Sequence, residues 1–202
     1  ERIKYINTTM DTYLTDGTLK QAVTDGYVLV ERTTESGVRL GIVGLIDLDD
    51  YDFDPKKKTL IRATEGTVIS RIPPRVKIRE HAAIELPHVM LLVDDPIDGQ
   101  NTDGCMEASR ENVINIGAVK HGIIECVYAI RDTFRKLYDT DLMQGGGHIR
   151  GYAIEGETAK QVTEIFAAKQ ESCGGFLFAV GDGNHSLATA KTCWENIKKS
   201  GK

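Results

Sequence analysis

The feature that most restricts this chain is residues 173–194, CGGFLFAVGDGNHSLATAKTCW. Residues 176–180 form a short apolar run with the length and the aromatic and β-branched content of a buried strand. It stops at Gly181-Asp182-Gly183, where glycine tolerates positive φ and Asp can bond its own backbone. Beyond the turn, Leu187, Ala190, Lys191 and Trp194 recur at helical spacing, with Asn184 or Ser186 as a natural N-cap. The segment predicts strand, tight polar turn and helix. It sets Asp182, Asn184, His185 and Ser186 at a helix N-terminus, where free N–H groups and the macrodipole attract anions such as phosphate. The plainer reading makes Asp182 and Asn184 turn formers in an ordinary connection. His185 weighs towards a site, because imidazole is a poor turn former and the side chain best suited to proton transfer near neutral pH.

A strand feeding a helix in this way implies an α/β protein, with a mixed α+β arrangement as the alternative: a mixed sheet flanked by helices. The remaining periodicity fits. Residues 1–23 carry Ile3, Ile6, Met10, Tyr13 and Leu14 at helical spacing before a break at Asp16-Gly17, and a second short helix is predicted at 18–24. Residues 27–32 and 38–47 are β-rich runs around a Gly-containing loop, which predicts a hairpin. The second run is nearly continuously apolar, so it is expected inside a sheet rather than at its edge. Residues 49–58, acidic and then basic, read as a solvated loop. Strands are predicted at 59–62, 89–93 and 148–154, and helices at 76–85, 106–112, within 123–142, and at 158–169. Thr158 and Gln161 make a capping box for the last of these.

A basic cluster, Arg62, Arg71, Arg75, Lys77 and Arg79, flanks a hydroxyl-rich loop around one carboxylate, Thr64-Glu65-Gly66-Thr67. Guanidinium groups grip phosphate in a bidentate way, so Arg62, Arg71 and Arg75, with the Thr64 and Thr67 hydroxyls, are candidate phosphate ligands. A solvated helix face is the bland alternative. Pro73-Pro74 is expected to forbid regular structure from Ile72 onward. The glycines at 145–147, followed by His148, permit close backbone approach to a ligand or to another strand.

Composition narrows the partners. The 202 residues carry a formal net charge of −5, which argues against nucleic acid as a bulk electrostatic partner. No apolar run approaches the roughly 20 residues of a membrane span, and no signal peptide opens the chain. Four scattered cysteines without a CxxC pair read as free thiols, which places the chain in the cytoplasm. With no repeat or convincing linker, residues 1–202 are expected to form a single domain. The start at Glu1 and the Lys-Lys-Ser-Gly-Lys end read as a piece of something longer.

Residues 39–52, 60–79, 85–96, 137–151 and 179–190, in this order, resemble the bacterial family catalogued as domain of unknown function 1015. The resemblance implies a chain roughly twice this long. The turn Asp182-Gly183-Asn184-His185-Ser186 resembles the family's Asp-Gly-His-His-Arg turn, with Asn184 for the first His and Ser186 for the Arg. That turn is in its turn similar to the strand-turn-helix signature of the ParB, sulfiredoxin and free serine kinase superfamily, where it meets nucleotide phosphates. The loss of Arg at Ser186 removes a cation that the arginine cluster would have to replace.

Three functions follow as expectations. The first is a nucleotide-dependent phosphotransferase acting on a small molecule. Glu65 is its base, His185 a phosphate ligand or proton carrier, and Asp182 a carboxylate for Mg²⁺. Gly183, Asn184, Ser186, Gly146 and His148 join the phosphate site, with ATP, ADP or another nucleotide and Mg²⁺ as cofactors. The second is a module that binds a nucleotide or another anion without chemistry. The third is a metal-dependent hydrolase using His81, His88, His148 and His185, although no HxH or HExxH spacing is present. Neither the substrate nor the oligomeric state is encoded in a readable way.

Overall fold

The structure is a computed structural model and describes residues 1–86, 89–94 and 122–201. The chain divides into two compact units, Glu1–Lys20 with Ile46–Asp94 and Gln170–Lys202, and Gln21–Leu45 with Asp95–Lys169. The expected α/β character holds, but as two four-stranded sheets rather than one.

The second unit holds an antiparallel sheet. Strands β1 (Tyr27–Thr34) and β2 (Gly37–Val43) form the expected hairpin, and β1 pairs on its other side with β7 (His148–Ile154), which pairs with β6 (Arg135–Asp141). Leu29, Tyr152 and Ile154 on one face pack against α3 (Ile123–Ala129) and α4 (Gly156–Ser172) through Ile123, Val127, Val162 and Ile165. Further along the same face the apolar contacts give way to charge. Buried Glu31, register partner of Arg150, accepts from Arg150 Nη1 and from Tyr128 Oη, each at 2.7 Å.

Two expectations fail in this unit. The run 38–47 is an edge strand, because β1 rather than β2 is flanked on both sides. Residues 135–141, taken for the end of a helix, are strand β6. Ile130, Phe134, Leu137 and Tyr138 imitate a helical stripe, yet Tyr138 lies over Gly151, where an added Cβ would meet its ring at 2.1 Å. An aromatic covering a strand glycine in this way is a sheet device, and the register shift at Lys136/Tyr138 disguises the period-two pattern.

The first unit holds the mixed sheet in the order β3 (Tyr51–Asp52), β4 (Ile61–Ala63), β8 (Phe178–Asp182), β5 (Met90–Val93), with the first three parallel and β5 antiparallel at the edge. Tyr51, Ile61, Val180 and Leu187 form its core. Ile72 and Val76 of α2 (Ile72–Arg79) pack on Ala188 of α5 (Asn184–Lys199). α1 (Arg2–Thr15) ends at the expected break and buries none of its residues. No helix follows at 18–24.

The prolines at 73 and 74 do not block α2. They occupy its first turn, where the missing N–H is not needed, so the helix begins four residues earlier than predicted. The loop read as solvated carries the buried Tyr51 and is tied to α5. Asp49 Oδ1 accepts from Lys191 Nζ at 3.2 Å, Trp194 Nε1 at 3.1 Å and Lys198 Nζ at 2.6 Å. Cys173 and Cys193 are free thiols, whereas Cys126 is disulfide-bonded, which corrects the expectation of four free thiols. No helix among the described residues is long and apolar enough to cross a membrane. His88 and the helix expected at 106–112 lie outside the described residues.

Candidate anion site at the first turn of α5

Parallel strands β4 and β8 are neighbours, so the loops leaving their carboxyl ends meet, which is where open α/β sheets collect ligand groups. From β8 the chain turns through Gly183 alone, at φ 88°, directly into α5. Gly183 is the N-cap, neither Asn184 nor Ser186 takes that role, and no side chain caps the helix. The first amide bond of α5 runs from Leu187 N to Gly183 O at 2.9 Å. The amides of Asn184, His185 and Ser186 precede it and have no acceptor among the described residues. Three unsatisfied N–H groups at the start of a 16-residue helix are a cradle for negative charge.

The loop after β4 is fastened to this turn at three points. Thr64 Oγ1 donates to Val180 O at 2.6 Å, Asn184 Nδ2 donates to Glu65 Oε1 at 3.3 Å, and Val68 N donates to His185 Nε2 at 3.1 Å. The last bond makes Nε2 the unprotonated ring nitrogen and leaves Nδ1–H as the donor. Glu65 is exposed, whereas Asn184 is only 3% exposed and its Oδ1 has no partner. Thr67 Oγ1 and Tyr51 Oη are likewise buried without a partner. Burial and the charge of Asp52, partly countered by the adjacent Thr67 hydroxyl, push the Tyr51 phenol up to about 12.

The structure thus brings Glu65, Thr64, Thr67, Asp182, Gly183, Asn184, His185 and Ser186 together. It separates the arginines. The Arg62 guanidinium donates to the carbonyls of Thr59 and Gly175, each at 2.9 Å, and lies 4.6 Å from the Phe176 ring centre. Those residues precede β4 and β8, at the end of the strands opposite Glu65. Arg79 Nη1 donates to Ser186 O at 2.6 Å while the same guanidinium pairs with Glu85. Arg71 and Arg75 are exposed, and their guanidinium groups hold no ion pair or hydrogen bond among the described residues. Arg71, Arg75 and Arg79 recur every fourth residue along one side of α2.

Gly146 and His148 belong to the other unit. Gly146 O accepts from Arg32 Nη2 at 3.1 Å, and a Cβ on Gly147 would fall 1.9 Å from Thr33 O, so the glycine run packs on the end of β1. His148 is held between Asp141 at Nδ1 and Asp139 at Nε2, both at 2.6 Å. Among the described residues no three His, Cys, Asp or Glu side chains are grouped to hold a metal ion. Asp182 is exposed, and its Oδ1 accepts from Gly183 N at 2.7 Å. A Mg²⁺ at Asp182 would take most of its ligands from phosphate and water, as this ion does in nucleotide sites.

Tyr51 was missed as a site neighbour, and Arg79 was expected only as one member of the basic cluster. Leu48, Tyr51 and Phe53 all join the core, and that apolar recurrence inside the acidic loop was the available signal. Nothing local in the sequence marks Arg79 as the residue that reaches α5.

No curated protein and no solved structure matches the chain. One family model does, that of the proteins of unknown function DUF1015, and it matches residues 1–202. The chain belongs to the DUF1015 family.

Proposed function

We propose that this chain binds nucleotide phosphates at the first turn of α5 and transfers a phosphoryl group to a small molecule. The observation that carries the reading is the Asn184–Glu65 hydrogen bond, which holds a carboxylate beside three uncapped helix amides. Phosphoryl transfer is mostly positioning and charge neutralisation. The amides would take phosphate oxygens. Glu65 would receive the proton of an attacking hydroxyl as its oxygen bonds to the terminal phosphorus and the nucleoside diphosphate departs. Arg71 and Arg75, uncommitted among the described residues, are cations next to the loop, and Mg²⁺, with Asp182 as a ligand, would supply the remaining neutralising charge. His185 positions the loop through Val68 and offers Nδ1–H as a donor. The likeness of residues 182–186 to the ParB and sulfiredoxin turn is part of this reading.

The test is a thermal-shift panel of ATP, ADP, CTP and GTP, with and without Mg²⁺, followed by product analysis across small hydroxyl compounds. Glu65→Gln keeps an acceptor for Asn184. It is expected to keep nucleotide binding and lose turnover; retained turnover removes Glu65 as the base.

One observation favours a module that binds without chemistry. Within the basic cluster around the loop, Arg62 and Arg79 are committed to backbone carbonyls, and Arg79 also to Glu85. Nucleotide binding with no product from any acceptor would select that reading.

A further inference from the structure

The Tyr51, Thr67 and Asn184 side chains each bury a polar atom that makes no well-formed hydrogen bond among the described residues, although the Tyr51 and Thr67 hydroxyls lie close enough to each other to interact. Native chains rarely leave such atoms unpaired, because each forfeits its hydration on folding. Here they gather in one place. Thr67 lies between Glu65 and Val68, which are bonded to Asn184 and His185, the first two residues of α5. The Tyr51 hydroxyl neighbours that of Thr67, and its ring shares a core with Leu187, one turn into the helix.

We infer that Tyr51, Thr67 and Asn184 form a polar floor beneath the first turn of α5 that receives an N–H or O–H donor carried by the ligand whose phosphate sits on the helix amides. The inference rests on the reading of that turn as an anion site. The orientation of Asn184 fixes the polarity. Its Nδ2 faces the Glu65 carboxylate, since a flipped amide would set oxygen against oxygen, so Oδ1 is the orphan and can only accept. Glu65 also accepts, and the two hydroxyls accept or donate. A hydroxyl or ammonium group therefore finds acceptors here, whereas a carboxylate would meet Asn184 Oδ1 and the Glu65 charge. The Tyr51 phenol stays protonated across the physiological range, which keeps it a neutral partner. All three atoms are closed to solvent, so a donor that reaches them has to displace part of the loop contacts made by Glu65 and Val68.

The ligand class is a small phosphate ester with a hydroxyl or an amine near its phosphate. Isothermal titration of the full chain would compare inorganic phosphate, methyl phosphate, glycerol phosphate, phosphoethanolamine and phosphoglycolate. Glycerol phosphate or phosphoethanolamine is expected to bind about tenfold more tightly than methyl phosphate, a single good hydrogen bond's worth, and phosphoglycolate no more tightly. The stronger of the two donors says whether the group is a hydroxyl or an ammonium.

Tyr51→Phe and Thr67→Val each remove one oxygen with little change of shape. Both are expected to erase most of that preference and leave methyl phosphate binding unchanged. Tyr51→Phe should also melt close to the parent, since the hydroxyl it deletes makes no well-formed hydrogen bond. Equal affinity for all the esters, or a clear loss of melting temperature in Tyr51→Phe, overturns the floor and leaves the amide cradle standing. Failure of inorganic phosphate, every ester and every nucleotide to bind overturns the cradle, and the floor with it.

Discussion

Asn184 and Glu65 stand 119 residues apart in sequence, yet the Asn184 side-chain amide donates to the Glu65 carboxylate at 3.3 Å. The bond joins the loop after β4 to the first turn of α5, and it works because one partner is neutral. Asn184→Asp would set two carboxylates face to face, with one of them almost fully buried. One pKa of that pair would rise, so the penalty applies above the usual carboxylate range and fades as the pH falls and the pair takes up a proton. We expect a loss of roughly 1–3 kcal/mol at pH 7, largely recovered near pH 4. Denaturant unfolding at the two pH values checks this, and an equal loss at both would mean that the carboxylates do not face each other.

Among the described residues the Val68 amide has no acceptor other than His185 Nε2, and Val68 itself is exposed. In His185→Ala the Val68 amide should exchange with solvent much faster, while global stability falls by only about 0.5–1.5 kcal/mol, the net worth of one ordinary hydrogen bond. Unchanged exchange at Val68 would show that the loop is held by Glu65 and Thr64 alone.

The strand and helix around Gly183 were legible because their signals are local: a run of apolar residues, one glycine with positive φ, and helical spacing in the next sixteen residues. Residues 148–154 and the hairpin of β1 and β2 were legible for the same reason. What failed was relational. Leu137 and Tyr138 have a helical spacing whose true cause, the Gly151 backbone under the Tyr138 ring, lies on another strand. Tyr51 looked solvated because its neighbours are aspartates, yet two of them are bound, Asp52 by Lys57 and Asp49 by Lys191 and Lys198. Arg62 was grouped with Arg71 by sequence, but in a strand its direction is set by the pleat, and its guanidinium is bound near Thr59 rather than at the turn.

Gly145 and Gly147 both have positive φ, at 70° and 84°, but only Gly147 is crowded. Gly145→Ala meets open space and should cost about 1 kcal/mol for the left-handed backbone. Gly147→Ala would press a methyl group onto the Thr33 carbonyl and should cost more than about 3 kcal/mol. Similar melting temperatures for the two variants would mean that the turn does not lie against β1.

Asp49 is a pH-dependent tie. Hydrogen bonds from Lys198 first, and then from Lys191 and Trp194, hold its carboxyl at about 2. The unfolded chain protonates this group near pH 4, so its contribution is complete above about pH 4 and is lost as the pH falls towards 2. Asp49→Asn should therefore be less stable than the parent at neutral pH and converge with it in acid. Parallel unfolding curves for the two proteins down to pH 2 would remove Asp49 from the acid transition.

His148 works in the opposite sense. Hydrogen bonds to Asp141 and then Asp139 favour its charged form and raise its pKa, while Lys136, and then His148, hold Asp139 well below the usual carboxylate range. An imidazolium can donate to both aspartates, whereas a neutral ring can donate to one only. The stabilisation is complete below the unfolded value near 6.5 and is lost as the pH rises through the elevated folded value. The His148 ring protons should titrate above the ordinary histidine value, and the parent should lose stability through that interval while His148→Gln does not. A ring titrating at the ordinary histidine value, or equal slopes for the two proteins, would show that the Asp139–His148–Asp141 clamp does not hold in solution.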